Sequence, residues 1–543
     1  MQLKKLNNYY YSLLAVNLVS NCAIFFSLHG WTFILFTLFA SFLLTLTEYV
    51  IGEILPSKVR SVYYWGLIAI YVLVIAVEVF VMIVFRHNIS ENLVFVLLDT
   101  NKGEIDAFFR AYTNPLSVLV FILSLVTLFL GVYWIGKGMA RINGGKMFWP
   151  AAILAMLGVG TYAYVGYSFV KLDDGMHAMQ FTTPTRIFAA LAKVEHRKGR
   201  IRSLCEACRN VQALDESSDS INVVVVIGES FSRFHSSLYG YRLQTNPLLE
   251  KREQEGELIV FSNVVTRADA THEALRSIFS TDSLGLGFGS APLFPAIFRA
   301  AGYRTYLWEN QYRIGVGISF MVDDKLSSIM YDERNETIYS QDGPFLDSTI
   351  PDVSHFTKTL SVIHLMGQHF FCKDRYEDGF RIFTPADYDP SYTEAQREVL
   401  ADYDNATLYN DAIVDRIIDR FDSTPTILFY FTDHGEELYE NGDFSGHTNA
   451  LRSKDLRYQI LIPFMVWMSP SYRQANPEQY ERICAAKNLP ATTDDVSHFL
   501  MDVAQIHTET FSPYRSVVNP LYLRDKKRLI LNSFDYDNWV RSK

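Results

Sequence analysis

This 543-residue chain has no basic excess. Acidic residues outnumber basic ones, 59 to 49, giving a net charge of −10. That balance argues against a nucleic-acid partner, which needs a basic face. Cysteine is also scarce. The five residues Cys22, Cys205, Cys208, Cys372 and Cys484 are too few to fill a soluble domain with disulfides. Only Cys205 and Cys208 form a close pair, a CxxC on a charged helical stretch, and without a second pair it reads as a small disulfide, half a metal site or chance, the disulfide being favoured. Charge of either sign is missing from long tracts of the first 172 residues. The first such tract is too long and too aromatic at its flanks for a signal peptide, and no small-residue cleavage site follows it. We find neither an internal repeat nor a low-complexity tract.

Five apolar stretches approach or exceed the roughly 20 residues that cross a bilayer as helix. They cover 10–28, 31–51, 63–85, 116–135 and 147–170. Lys4 and Lys5 precede the first, Lys58 and Arg60 follow the second, and Lys137, Arg141 and Lys146 follow the fourth. With five spans all three clusters fall on one side, which is therefore cytoplasmic. Everything after the fifth span is then outside the cytoplasmic membrane. Residues 87–113 are amphipathic and suit short helices at the outer interface. Two carboxylates fall inside spans. Glu48 is close enough to the cytoplasmic end to snorkel, whereas Glu78 lies deeper and could meet a donor's ammonium group.

The expected organisation is a transmembrane domain over 1–172, a linker helix over 173–220 and a soluble domain over 221–543. In the last, apolar strand candidates ("INVVVVIG", "LIVFSNV", "RTYLWEN", "LSVIHLMG", "TILFYFTD", "IPFMVWM") alternate with helices near 271–280, 292–301 and 396–422. Near-continuous apolar strands alternating with helices predict an α/β domain, a mostly parallel sheet covered on both faces.

Three strand ends carry groups able to hold a metal: Glu229, His369, and the adjacent Asp433 and His434. Carboxylate and imidazole ligands converging from strand ends suit zinc or manganese. In "DHGE", Gly435 leaves the backbone room to bring the pair close. Plainer readings stand beside these: a cap for Glu229, a turn for Asp433, a solvated loop for His447 in "FSGHTNA". Thr271 opens a helix. It is an N-cap, or its hydroxyl lies where free N–H groups and the helix dipole favour a phosphate. As a nucleophile it needs its hydroxyl activated, which a divalent cation does.

The segments "GES…SLYGYRLQTNPLL", "NVVTRADATHEAL", "VIHLMGQH", "YDNATLYND", "FTDHGEELYENGDFSGHTN", "IPFMVW" and "RSVVNP" resemble the membrane phosphoethanolamine transferases of Gram-negative bacteria. The resemblance runs in order through nearly the whole chain. It is strongest to the branch that modifies lipopolysaccharide core heptose, and weaker to the lipid A and mobile colistin-resistance branches. All belong to the alkaline phosphatase and sulfatase superfamily. The resemblance implies a five-helix transmembrane bundle joined to a sulfatase-like domain. It implies a zinc enzyme whose metal is held by Glu229, Thr271, Asp433 and His434, with Thr271 the nucleophile. His369 and His447 match histidines that bind the phosphoethanolamine group or a second zinc. Thr100 and Glu104 match donor-lipid contacts. Val96 stands where the lipid A branch has Asn, and His447 follows Gly446 rather than preceding a glycine.

The implied reaction moves phosphoethanolamine from phosphatidylethanolamine to a lipopolysaccharide acceptor, core heptose or lipid A, through a covalent threonine intermediate, with His369 or His447 as general acid or base. The implied setting is the bacterial inner membrane, with the N-terminus cytoplasmic, the catalytic domain periplasmic and the chain monomeric. One Zn2+ site is expected and a second is left open. A lipoteichoic acid synthase type of glycerophosphate transferase, using phosphatidylglycerol and manganese, is the alternative that shares five spans and a threonine nucleophile. A degenerate sensor would have eroded ligands, and all four ligand positions are intact.

Overall fold

The computed structural model describes residues 34–85 and 199–543, apart from 200, 218–219, 283–290, 312–323, 443, 448–449 and 532–533, with a few isolated positions nearer the N-terminus. The chain divides into two compact units, Met1–Lys198 with Ile314–Val316, and Gly199–Arg313 with Gly317–Lys543.

In the first unit, helices α1 (Ile34–Ile54) and α2 (Ser57–Phe85) correspond to the second and third apolar stretches. Pro56 breaks the chain between them, since it cannot continue the preceding helix. Arg60 closes the end of α1, donating to the Glu53 carbonyl at 2.8 Å and the Leu55 carbonyl at 3.0 Å. Among the described residues, Ser57–Val77 is the one segment long and apolar enough to cross a membrane. Glu48 does not snorkel. Its carboxylate is buried and accepts the Tyr71 hydroxyl of α2, because a partnered carboxylate can stay inside an apolar pair where a bare one could not. The side chain of Glu78, the remaining three spans, the 87–113 segment, Thr100 and Glu104 lie outside the described residues.

The second unit is built on an eight-stranded sheet. Its strands are β1 (Asn222–Gly228), β2 (Leu258–Val265), β3 (Arg304–Glu309), β4 (Glu333–Arg334), β5 (Thr359–His364), β6 (Thr426–Thr432), β9 (Leu461–Met468) and β10 (Ala491–Thr492). Outside this sheet, β7 (Glu437–Leu438) and β8 (Ser445–Gly446) form a separate hairpin. The sheet order is β10-β2-β9-β6-β1-β5-β3-β4. β9 runs antiparallel to both neighbours and the other pairings are parallel, so the sheet is mixed but mostly parallel.

All six expected strands are present. The valine run of β1 is buried on both sides because alternate residues serve two cores. Val223, Val225 and Ile227 enter one core, Val224 and Val226 the other. Strand β6 divides the same way, with Phe429 and Phe431 against Leu428 and Tyr430.

Helix α4 (Glu394–Phe421) opens with a capping box between Thr393 and Gln396. It carries "YDNATLYND", whose polar residues are buried braces. Asp404 pairs with His235 at 2.6 Å and accepts the Tyr241 and Tyr388 hydroxyls. Asn405 accepts the N–H groups of Ile382 and Phe383 at 2.8 Å each. Asp411 accepts those of Leu248 and Leu249. Cys205 and Cys208 are not joined by the expected disulfide. Both face the same core from a helix over 201–210, and the Cys208 sulfur accepts the Leu293 N–H at 3.4 Å. Burial pushes the Cys208 thiol up to about 12, which keeps it unreactive.

Candidate active site

Strands β6, β1 and β5 are adjacent and parallel, so their C-terminal ends open on one edge of the sheet, where ligands of α/β folds collect. Glu229 follows β1, His364 ends β5, and Asp433 and His434 follow β6. The turn after β1 is sharp. Ser230 takes φ +56°, its N–H donates to Asp433 Oδ1 at 3.2 Å, and its hydroxyl donates to Glu229 Oε1 at 2.9 Å. A left-handed serine is costly, and such strain clusters at functional sites.

Thr271 arrives from helix α3 (Thr271–Phe279). The cap is Ala270, in extended conformation, so Thr271 is the first helical residue rather than the N-cap. Its hydroxyl is therefore free of capping duty. Thr271 Oγ1 lies 3.2 and 3.4 Å from the Glu229 oxygens and 3.3 Å from His434 Nε2.

Glu229, Asp433 and His434 are fully buried and offer ligand atoms within 4.8 Å of one another. Burial and then the neighbouring Asp433 carboxylate raise Glu229 well above the usual carboxylate range. Two carboxylates converging in a buried site form an arrangement that a divalent cation resolves. The His434 tautomer fits as well. Nδ1 lies 2.9 Å from the Gly435 carbonyl and can only donate there, which leaves the Nε2 lone pair facing Thr271. Asp433 Oδ1 accepts the N–H groups of Ser230 and His434, whereas its buried Oδ2 has no hydrogen-bond partner among the described residues. Two carboxylates, one imidazole and one hydroxyl offer four oxygen and nitrogen donors that would suit zinc.

Gly435 is where the tight turn needs its glycine. A Cβ there would stand 2.3 Å from the Tyr458 carbonyl. The turn leads into β7, and β8 returns His447 so that its ring centroid is 4.1 Å from that of His434. His447 Nδ1 lies 2.8 Å from Glu436 Oε2. His434, Glu436 and His447 thus form a second group able to hold a metal. His369 stands on the loop after β5. Burial, followed by the Arg375 charge, pushes its imidazole down to about 4.

Four of the sequence-derived positions, Glu229, Thr271, Asp433 and His434, meet in direct contact. His447 adjoins them, and His369 is on the loop fixed to the Glu229 backbone by the Gln368 N–H at 3.1 Å. Two buried residues escaped the sequence reading. Glu436 was legible as the last letter of "DHGE". His364 was legible as a strand-end histidine in "VIHLMGQH". Its Nδ1 is 2.9 Å from Glu309 Oε1 and its Nε2 is 4.0 Å from Glu229 Oε2, so it backs the ligand cluster.

Comparisons with known proteins agree with this architecture. The sulfatase family model matches residues 221–506, more than half of the chain. Phosphoethanolamine transferase EptC of Escherichia coli O18:K1:H7 is 27% identical over 488 residues, covering 84% of this chain and 83% of the relative. The crystal structure of the C-terminal periplasmic domain of Escherichia coli EptC, in complex with Zn, has 27% identity and a TM-score of 0.52, covering 60% of this chain and 96% of that one. Lipooligosaccharide phosphoethanolamine transferase A of Neisseria meningitidis, an integral membrane protein, shares the fold over 95% of this chain and 97% of its own, with 19% identity and a TM-score of 0.61.

Proposed function

The chain belongs to the sulfatase family, and from that premise we propose that it transfers phosphoethanolamine from phosphatidylethanolamine to a lipopolysaccharide acceptor, core heptose or lipid A. The observation that carries the reading is the position of Thr271 Oγ1, at a helix N-terminus and 3.2–3.4 Å from Glu229 and His434. The 27% identity to EptC over most of both chains supports the substrate class.

In this reading Thr271 Oγ1 attacks the donor phosphorus. The Oγ1–P bond forms, the P–O bond to glycerol breaks, and diacylglycerol leaves with a proton. Phosphoethanolamine remains esterified to Thr271. An acceptor hydroxyl or phosphate oxygen then attacks the same phosphorus, and the threonine hydroxyl is regenerated. Glu229, Asp433 and His434, with Thr271 itself, would hold a zinc ion. When bound, zinc lowers the hydroxyl's pKa and offsets charge on the phosphoryl oxygens. The N-terminal end of α3 favours the phosphate at the same place. His369, depressed to about 4, is neutral at working pH and can accept a proton from the incoming acceptor. His447, held by Glu436, is the group proposed to give one to the leaving oxygen. A second zinc would instead take Glu436 and His447, because His434 already gives its Nε2 to the first and donates from Nδ1 to Gly435.

The membrane setting is proposed with the function: five spans over 1–172, a connecting segment over 173–220, and residues 221–543 in the periplasm. The apolar stretches, the distribution of lysine and arginine, and the fold shared with an integral membrane relative support it. Thr100 and Glu104 are the proposed donor contacts on the outer interface.

The test is intact mass of the purified full chain after incubation with phosphatidylethanolamine. One phosphoethanolamine unit gained on the peptide holding Thr271, and absent from Thr271→Ala, establishes donor and nucleophile together. A glycerophosphate adduct from phosphatidylglycerol instead would replace the reading with a polymerase of teichoic-acid type.

A further inference from the structure

The loop that carries His369 ends in an exposed aromatic pair. Its first half is pinned. Asp342 accepts the N–H groups of Met366 and Gly367 at 2.8 and 2.9 Å, and the Gln368 N–H donates to the Glu229 carbonyl. Its second half is pinned by buried Arg375, which donates to the carbonyls of His369 and Phe370 at 3.3 and 3.2 Å. Between these anchors Phe370 and Phe371 are 51% and 59% exposed, with ring centroids 4.6 Å apart. The Phe370 ring is 4.9 Å from the His369 ring. Phe371 holds φ +64°, a conformation that bulky residues rarely adopt.

We propose that Phe370 and Phe371 are the binding surface for the glycerol and first acyl carbons of the donor, so that the site selects a membrane phospholipid over a soluble phosphodiester. The inference rests on the transfer reading above and adds to it the residues that recognise the donor's apolar end. Two exposed phenylalanines side by side are an apolar patch joined directly to the catalytic loop. Backbone anchors lie on both sides of the pair, and both rings stand exposed. A phosphodiester at Thr271 has two arms. The side lined by Glu436 and His447 is charged and cannot shelter an acyl chain. His369 is close enough to the centre to feel the charges of Asp433, His434 and His447, and the exposed phenylalanines next to it offer the apolar surface that the diacylglycerol arm needs.

The experiment compares two donors with the full chain in neutral detergent, reading the rate of the Thr271 adduct by mass. Dioleoyl phosphatidylethanolamine carries both acyl chains, and glycerophosphoethanolamine carries the same phosphodiester with none. Wild type is expected to half-saturate at a concentration at least about 100-fold lower with the lipid. In Phe370→Ser/Phe371→Ser this preference should shrink about tenfold or more through KM, the cost of about 1.4 kcal/mol in contact with the chains. Phe370→Leu/Phe371→Leu should keep most of it, and the single Ser variants cover the case in which the double variant does not fold. A Ser variant slowed equally on both donors would assign the rings to loop structure and overturn the proposal. So would an unaltered preference. A wild type forming no adduct with either donor overturns the transfer reading itself, and this inference with it.

Discussion

At the scale of single residues, the centre depends on buried groups that cannot be relaxed by water. Asp433 is fully buried with two N–H groups on one oxygen and none on the other. Asp433→Asn and His434→Ala should each lower zinc affinity by at least about 100-fold, since removing a ligand exceeds the loss from removing a ligand's support. Zinc per purified chain, measured by plasma mass spectrometry, checks this, and normal occupancy in both variants would remove these two from the ligand set. A second residue-scale device is separate from the metal. Burial pushes the His235 imidazole down, but Asp404 at 2.6 Å and Glu440 at 3.5 Å more than reverse this and hold it at about 9. A histidine raised on folding stabilises fully below its unfolded value near 6.5 and loses that contribution as pH rises through about 9. The contribution is on the order of 3 kcal/mol. Apparent melting temperature should therefore fall between pH 6.5 and 9, and Asp404→Asn should flatten that slope while lowering stability at pH 6.5. Tyr241 and Tyr388, also on Asp404, stay protonated throughout, because burial and that carboxylate raise both hydroxyls far above their usual value.

Elements place these residues more than any one side chain does. Three parallel strands ending on one edge bring Glu229, His364 and Asp433 together, and the loop after β5 must then pass close to β1. Gly367 makes that passage possible. It has φ +51°, and a Cβ there would stand 2.9 Å from the Glu229 nitrogen and 3.0 Å from its carbonyl oxygen. Both obstacles are backbone and cannot rotate away. Gly367→Ala should cost about 2 kcal/mol or more and displace His369, lowering adduct formation more than zinc binding. Melting curves and zinc content on the same preparation separate the two effects, and a variant melting like wild type would refute the close-packing argument. Helix α4 acts at the same scale. Its "YDNATLYND" segment carries part of the family resemblance, and its side chains hold neighbouring segments in place.

For the whole molecule the expected order is a membrane-embedded N-terminal unit and an extracytoplasmic catalytic unit. A reporter active only in the periplasm, fused after Lys543, should be active, and a fluorescent protein that matures only in the cytoplasm should be dark there. The opposite pattern would require an even number of spans. The chain should also stay with membranes through alkaline carbonate washing, which strips peripheral proteins but leaves helices that span.

The sequence by itself determined the apolar stretches, the six main strands and the identity of the four clustered residues, because periodicity and hydropathy are local properties. It also carried the family likeness, through motifs spread along the chain. Only the tertiary structure decided what depends on neighbours distant in sequence. Strand β9 is antiparallel although its composition matches the parallel strands, since an apolar run does not encode direction. Cys205 and Cys208 enter the core instead of bonding to each other, because a helical i, i+3 pair can share one buried face. Glu48 finds Tyr71 on the adjoining helix, which no spacing in the chain announces. Thr271 proved to be the first helical residue, its hydroxyl released toward Glu229 and His434, because Ala270 took the cap position.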